Sequence, residues 1–453
     1  MKKTGMYSFL VVFLFLLAVN SVFAGGKNEE PKGAAEDQPM TINVWAHSGN
    51  PADTLRIWGD MYTAEHPNVT FNVTTHTVDN YKIVAPLAVQ NGQEKLDLMD
   101  FWAALAPDWV ENGWLLELNQ YLDQGMWDDV YDGPKSQYIN AEGNVYFLPK
   151  GGHFLGLLYY NVDIFEELGI TIDVNNPASE EDLIEICDKL NKAGYEGISV
   201  GNVGKSWMDH VFNDFIGKLL STEDFNKLKD WNIISKETQL ANAQIWKGDA
   251  VLEGFKVLAK YAGEGCFIKD INVIDWDPAR ELFVEGKAGM FMDGTWGINL
   301  IRKMADEDFN FSVAYFPPLN GSSAIPSTFG GGYAVPSYVK EQSPEKIPVI
   351  MDFLSKIYTE KYAIASMELE PKIPASKNVP EKWLDANLDP VLKKVIADSE
   401  VRGASGRWIT GWDPEFYSKV NDTIAAVIEQ TMTPEEAQSG LYKLAVKLAE
   451  ERE

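Results

Sequence analysis

Residues 197–201 read Gly197-Ile198-Ser199-Val200-Gly201, the G-x-S-x-G spacing of a serine nucleophile elbow. That chemistry needs the serine on a sharp strand-to-helix turn with its oxygen exposed. Here Ser199 falls inside a short apolar strand and the turn follows it at Gly201-Asn202, so the context fails. The overlapping run from Ser199 to Ser206 ends in Gly204-Lys205-Ser206, like a phosphate-cradling loop. Ser199 stands where the first glycine must let the backbone approach phosphate, so this too reads as a loop-forming coincidence. The five histidines, His47, His66, His76, His153 and His210, form no H-x-H or H-E-x-x-H pair. The acidic cluster Asp306-Glu307-Asp308 lacks calcium-loop spacing. The sequence calls for no metal and no cofactor.

What remains is rich in tryptophan. Trp102, Trp207, Trp276, Trp296, Trp408 and Trp412 sit beside Gly, Ser, Asp or Arg rather than deep in apolar runs. A flat indole offers a platform for the apolar face of a pyranose, while Asp, Asn, Arg and His bond its hydroxyls. Burying roughly 80–100 Å² on such a ring contributes about 2–2.5 kcal/mol at ~25 cal/mol/Å². The competing role for each indole is packing in a core or at a rim.

The elements that would position these groups alternate. Thr41–Trp45, Val69–Val73 and Leu96–Met99 read as strands, separated by helical patterns over 53–65 and around Tyr81–Ala88. That rhythm predicts parallel βαβ units. A second rhythm begins at Leu155, with strands expected over 155–160, 198–200, 289–292 and 313–316. Ser179 caps a helix whose first turn is acidic, and residues 348–453 read as mostly helical. In open α/β sheets ligands sit beyond the carboxyl ends of the strands. His47 follows strand one, and Asp100 and Trp102 follow strand three, so an imidazole, a carboxylate and an indole are expected along one edge. The alternative, that Trp102 packs the next helix and Asp100 caps it, stands equally at this point.

The chain has 453 residues, 67 acidic against 39 basic, for a net charge of −28. Such a chain repels a phosphate backbone, which argues against nucleic-acid binding. Its start has the layout of a secretory signal peptide: Lys2-Lys3, an apolar run over 9–19, and small residues before a cut after Ala24. Gly25 follows, not the cysteine of a lipoprotein. Residues 25–39 read as a flexible leader. Export is expected, with a periplasmic location. Cys187 and Cys266 are read as two partly buried thiols in preference to a disulfide.

Several segments, in order, resemble the family 1 extracellular solute-binding proteins of ABC transporters, the group that contains maltose-binding protein. They are Gly143-Asn144-Val145-Tyr146-Phe147-Leu148-Pro149, Leu158-Tyr159-Tyr160-Asn161-Val162-Asp163-Ile164-Phe165, Phe283 to Met290 with Asp293-Gly294-Thr295-Trp296, and Phe329 to Val335. The resemblance covers nearly the whole mature chain. It implies an α/β, two-lobed periplasmic-binding-protein fold of type II, with a ligand cleft between lobes joined by a hinge. Lobe one would be 40–147 plus 332–370, and lobe two 151–328 plus 376–453. It implies a hydroxyl-binding acid and a stacking ring at Asp100 and Trp102, a second-lobe cleft loop at Asp293 and Trp296, and a hinge at Gly331, Gly332 and Tyr333. The hinge glycines would permit backbone angles that other residues resist. A late loop would contribute Arg407, Trp408 and Trp412. His153-Phe154 stands where several sugar-binding relatives carry an acid, so His153 joins His47 and Trp207 as a candidate contact. The function implied is a non-enzymatic, monomeric receptor that closes on a sugar or oligosaccharide and delivers it to the membrane subunits of an ABC transporter. The alternatives are an exported glycoside hydrolase, which needs two carboxylates ~5–10 Å apart, and the same fold binding a peptide or polyamine.

Overall fold

The computed structural model describes residues 38–92, 95–136, 138–140, 143–171, 179–205, 207–229, 235–328, 331–406 and 414–451. The signal-like segment and leader up to residue 37, and Arg407, Trp408 and Trp412, lie outside the described residues. Two α/β lobes are present, each with its own sheet and core.

The first sheet contains β1 (Met40–His47), β2 (Val69–His76), β3 (Leu98–Trp102), β4 (Leu148–Pro149) and the late strand β11 (Gly331–Ala334), in the order β2-β1-β3-β11-β4. β1 runs parallel to β2 and β3, while β11 is antiparallel to β3 and β4. The helix Asn50–Glu65 follows β1, with Pro51 in its first turn, where a missing N–H costs nothing. It buries Leu55, Trp58 and Tyr62 on one side, and the Trp58 indole donates to the Tyr362 carbonyl at 2.8 Å. After β3 come two short turns, Ala103–Leu105 and Pro107–Glu111. Pro107 ends the first turn, and Gly113, at φ 69°, ends the second.

The second sheet has the order β7-β8-β6-β9, built from β6 (Leu157–Asn161), β7 (Glu196–Ser199), β8 (Ala288–Asp293) and β9 (Phe311–Tyr315). Its core is the larger one and takes in the C-terminal helices Pro390–Arg402, Pro414–Ile428 and Pro434–Glu451. The helix Glu180–Ala193 begins with a reciprocal capping box between Ser179 and Asp182 and ends at left-handed Gly194. Cys187 and Cys266 are free, buried thiols.

The lobes are joined by three crossings. The first runs from β4 into β5 (His153–Phe154), and the second from β10 (Ile325–Thr328) to β11. They travel side by side: Ser327 and Thr328 pair with Phe154 and His153, while Gly332 and Tyr333 pair with Pro149 and Leu148. The short strand β12 (Ala404–Ser405) lies parallel to β10 on its other side. A loop over residues 370–376 bonds to the first crossing through reciprocal Gly152–Ile373 backbone hydrogen bonds of 2.8 Å. From it the chain returns to the first lobe, where Ser376 donates to the Tyr358 carbonyl and Asn378 to Asp129. The third crossing follows near Leu388, just before Asp389 pairs with Arg302 of the second lobe at 2.6 Å. No helix among the described residues is long and apolar enough to cross a membrane.

Candidate functional site

The first-lobe edge begins with His47, the last residue of β1. Its ring stacks on Trp102, the last residue of β3, with centroids 4.7 Å apart and planes 15° from parallel. Both residues are partly buried. Burial, reinforced by the Lys150 cation, lowers the His47 pKa to about 4, so the ring is neutral at pH 7.

Asp100 sits two residues before Trp102 and is only 1% exposed. Both its oxygens accept from Lys150 Nζ at 2.8 Å. The expected hydroxyl-binding acid is therefore already occupied, and it faces the first crossing instead of solvent. β11 has no room for side chains at its first two positions. A Cβ on Gly331 would collide with the Lys150 side chain, and one on Gly332 would come 2.8 Å from the Leu148 carbonyl. Neither glycine adopts a left-handed backbone, so close approach, not unusual φ, is their reason here. Tyr333 is a core residue, edge-on to Trp58 with centroids 5.8 Å apart and 1% exposed.

Glu370 and Lys372 on the 370–376 loop extend the charges. Lys372 Nζ lies 3.6 Å from Glu370 Oε2, and His153 Nε2 lies 3.9 Å from Glu370 Oε1. Burial alone would raise the Glu370 pKa, but His153, Lys372 and Lys150 together outweigh it and hold it down to about 2. Burial lowers His153 to about 4 against the pull of Glu370, so it too is neutral at pH 7. At that pH two lysines and two carboxylates compensate one another, which is what makes such burial tolerable.

His153 carries the site into the second lobe. Its Nδ1 lies 3.1 Å from Thr295 Oγ1, and its ring meets Trp296 edge-on at 5.5 Å. Trp296 adjoins His210 at 5.6 Å and Trp207 at 6.4 Å, and Trp207 stacks on Trp276 at 4.2 Å. Asp293 lies beneath this loop with no exposed surface. Its Oδ1 accepts from Gly294 N at 2.7 Å, and Oδ2 is 3.7 Å from Arg280. Burial raises its pKa to about 7 against the pull of Arg280. Asp293 thus shapes the turn that presents Trp296 and is placed as a support.

The structure brings together His47, Trp102, His153, Trp207 and Trp296 around a charged floor. It places Asp100, Asp293, Gly331, Gly332 and Tyr333 behind them. Lys150, Glu370, Lys372 and His210 were missed. Lys150 and Glu370 sat at the edges of the expected crossings, but nothing local says that a charge there is buried. Trp276, one of the six candidate platforms, stacks on Trp207 instead, a contact between residues far apart in sequence. Ser199 is buried, donating to the Ala279 carbonyl at 2.6 Å, which leaves it unfit as a nucleophile. Lys205 pairs with Asp422 at 2.8 Å, and Gly201 makes way for the Asp275 backbone, so the phosphate-loop-like run is a packing feature. Among the described residues no group of three or more His, Cys, Asp or Glu is placed to hold a metal.

Known proteins share this architecture. A "Chitin oligosaccharide binding protein" superposes with a TM-score of 0.76 at 18% identity, covering 90% of this chain and 99% of its own. The maltose/maltodextrin-binding domain of Bdellovibrio bacteriovorus bound to maltotriose gives 0.67 at 14%, covering 91% and 100%. In sequence, a "Probable sugar-binding periplasmic protein" of Brucella melitensis biotype 1 is 22% identical over 82% of each chain. A protein of the same description from Rhizobium meliloti is 23% identical over 66% of each. The model of the bacterial extracellular solute-binding proteins matches residues 48–364, more than half of the chain. With that match, the two lobes and the three crossings, the chain belongs to the bacterial extracellular solute-binding protein family.

Proposed function

We propose that the protein is an exported receptor for a sugar or oligosaccharide that closes its lobes on the ligand and presents it to an ABC importer. The observation that carries this reading is the continuous line from the Trp102–His47 stack, past Lys150 and Glu370, to His153, Trp296 and Trp207. It supplies an aromatic surface on each lobe, and between them imidazoles that stay neutral at pH 7. His47 Nδ1 donates to the Ser48 carbonyl at 3.0 Å, which leaves its Nε2 to accept from a hydroxyl. The names of the relatives and of the structural neighbours support the same ligand class.

Lobe one is taken as 40–149 with 331–370 and the returning stretch 375–388, and lobe two as 154–328 with 389–451. This moves the return to lobe two past residue 376, because Ser376 and Asn378 bond to lobe one. Contacts on both lobes exist only when the lobes are together, so a ligand shifts the population toward closure.

A hydrolase would need an accessible acid of raised pKa and a second carboxylate. Glu370 is held low, Asp100 is bound to Lys150, and Asp293 is sealed, so the reading as a binding protein is favoured. The test is a thermal-shift panel of maltotriose, chitotriose, xylotriose, raffinose, amino acids and spermidine, with product analysis of each sugar. A sugar at ~100 times its Kd should add ~2.7 kcal/mol to unfolding stability without being cleaved. Stabilisation by spermidine alone, or turnover of a sugar, would overturn it.

A further inference from the structure

The closest ion pair in the hinge is Lys150–Asp100, and its geometry is unusually constrained for a surface-tethered lysine. Lys150 is on the first crossing, between β4 and the Gly151-Gly152 pair. Asp100 is on β3, directly opposite Tyr333 of β11, where the second crossing enters the first lobe. The ammonium donates to both Asp100 oxygens at 2.8 Å, with the two side chains 10% and 1% exposed. The alkyl stem runs through the space that Gly331 leaves open on the second crossing, where a Cβ would strike it. Gly331 is held from the other side by Tyr138, whose hydroxyl donates to the Gly331 carbonyl at 2.5 Å. Pro149, just before Lys150, accepts from Tyr358 of lobe one at 2.7 Å. One side chain thus spans the two adjacent crossings, beside their backbone pairing, at the point where they leave the first lobe.

We propose that Lys150 is the positioning residue of the hinge: clamped by Asp100 and threaded past Gly331, it registers the first two crossings and so sets how far the ligand-free lobes spread. The proposal rests on the two-lobe closure described above, and it assigns Lys150 no contact with ligand. A bent strand pair without this register explores a wider range of interlobe angles. Fewer ligand-free molecules are then competent to bind, and the apparent Kd rises by the inverse of the competent fraction.

Removing Lys150 alone would leave Asp100 buried and unpaired, so two milder variants carry the test. Gly331→Ala keeps both charges and needs no unusual backbone, but it displaces the lysine stem. Asp100→Asn/Lys150→Met removes the pair without leaving a buried charge. Solution scattering is recorded without ligand and then with maltotriose, chitotriose or xylotriose at saturation, alongside binding titrations and thermal midpoints. Both variants should show a larger ligand-free radius of gyration than the wild type and the same radius when saturated. Their Kd should be weaker by about tenfold, the effect of cutting the competent fraction to roughly a tenth. Adding Gly331→Ala to the neutral pair should have no further effect, since both act on one seat.

Lower midpoints with unchanged ligand-free radius would overturn the proposal, because the pair would then only stabilise the fold. Weaker binding with wild-type radii in both states would also overturn it and make Lys150 a ligand contact. Failure of the wild type to compact with a sugar it binds would remove the closure reading itself. The ligand-free radius still decides about Lys150 if none of the three sugars binds.

Discussion

Trp102 and His47 form one unit, because the imidazole covers one indole face at 4.7 Å. On the proposed reading, a sugar ring would meet the other face of the indole or the outer face of the imidazole. Trp102→Ala removes the platform and leaves His47 unsupported, so binding should weaken by about 2–3 kcal/mol, roughly 30–150-fold. The denaturation midpoint should move little, since Trp102 is only partly buried. Titration and denaturation of the same variant check this, and a large loss of stability with normal binding would identify Trp102 as packing.

His153 gives a second prediction at this scale. Its folded pKa is about 4 against 6.5 for the free side chain, so the unfolded chain takes up the proton first as pH falls. Stability from a neutral buried imidazole is complete above pH 6.5 and is lost progressively toward pH 4. Asp293, raised to about 7, and Asp214, raised to about 6 by burial against Lys218, act in the opposite direction over much of that range. Their folded forms hold a proton that the unfolded carboxylates release. His153→Gln should therefore shift the balance: between pH 6.5 and pH 5 the variant should lose less stability than the wild type, or gain some. Denaturant midpoints at the two pH values measure it, and parallel changes in both proteins would contradict it.

The elements behave as rigid supports with ordinary local rules. The Ser179–Asp182 capping box starts a second-lobe helix whose acidic first turn suits the helix dipole. Ser179→Ala should cost about 1 kcal/mol of stability and leave the Kd unchanged, which makes it a control for binding variants. The strand β11 is the opposite case. It accepts almost no side-chain volume at Gly332, where a Cβ faces the Leu148 carbonyl and the Tyr138 ring. Gly332→Val should therefore reduce the yield of folded protein or its thermal midpoint sharply, because the crowding is with backbone and cannot be relieved by a rotamer change. Wild-type stability in that variant would show that the crossings can separate freely.

Considered as a whole, the molecule joins two cores through narrow crossings, two of which run side by side, and the proposed closure would turn on them. Scattering with a bound sugar should show a smaller radius of gyration than without it, and an unchanged radius at saturation would argue against closure. The net charge of −28 acts at this scale as well. It keeps the exterior acidic while the charged floor of the site is internally compensated, so moderate salt should affect binding of a neutral sugar little.

The sequence alone determined the class of fold. Alternation of strands and helices and the capping serine at 179 are local signals, set by side-chain period and backbone sterics. It also indicated His47 and Trp102 together, because parallel strands put their carboxyl ends on one edge. Only the tertiary structure decided which polar groups are open and which are supports. Asp100 and Asp293 carry the same carboxylate that would bind a hydroxyl, but their roles follow from partners 50 and 13 residues away, Lys150 and Arg280. Burial and pairing are properties of the packed interior, where removing a charge from water demands a partner, and one-dimensional spacing holds no record of which distant residue supplies it.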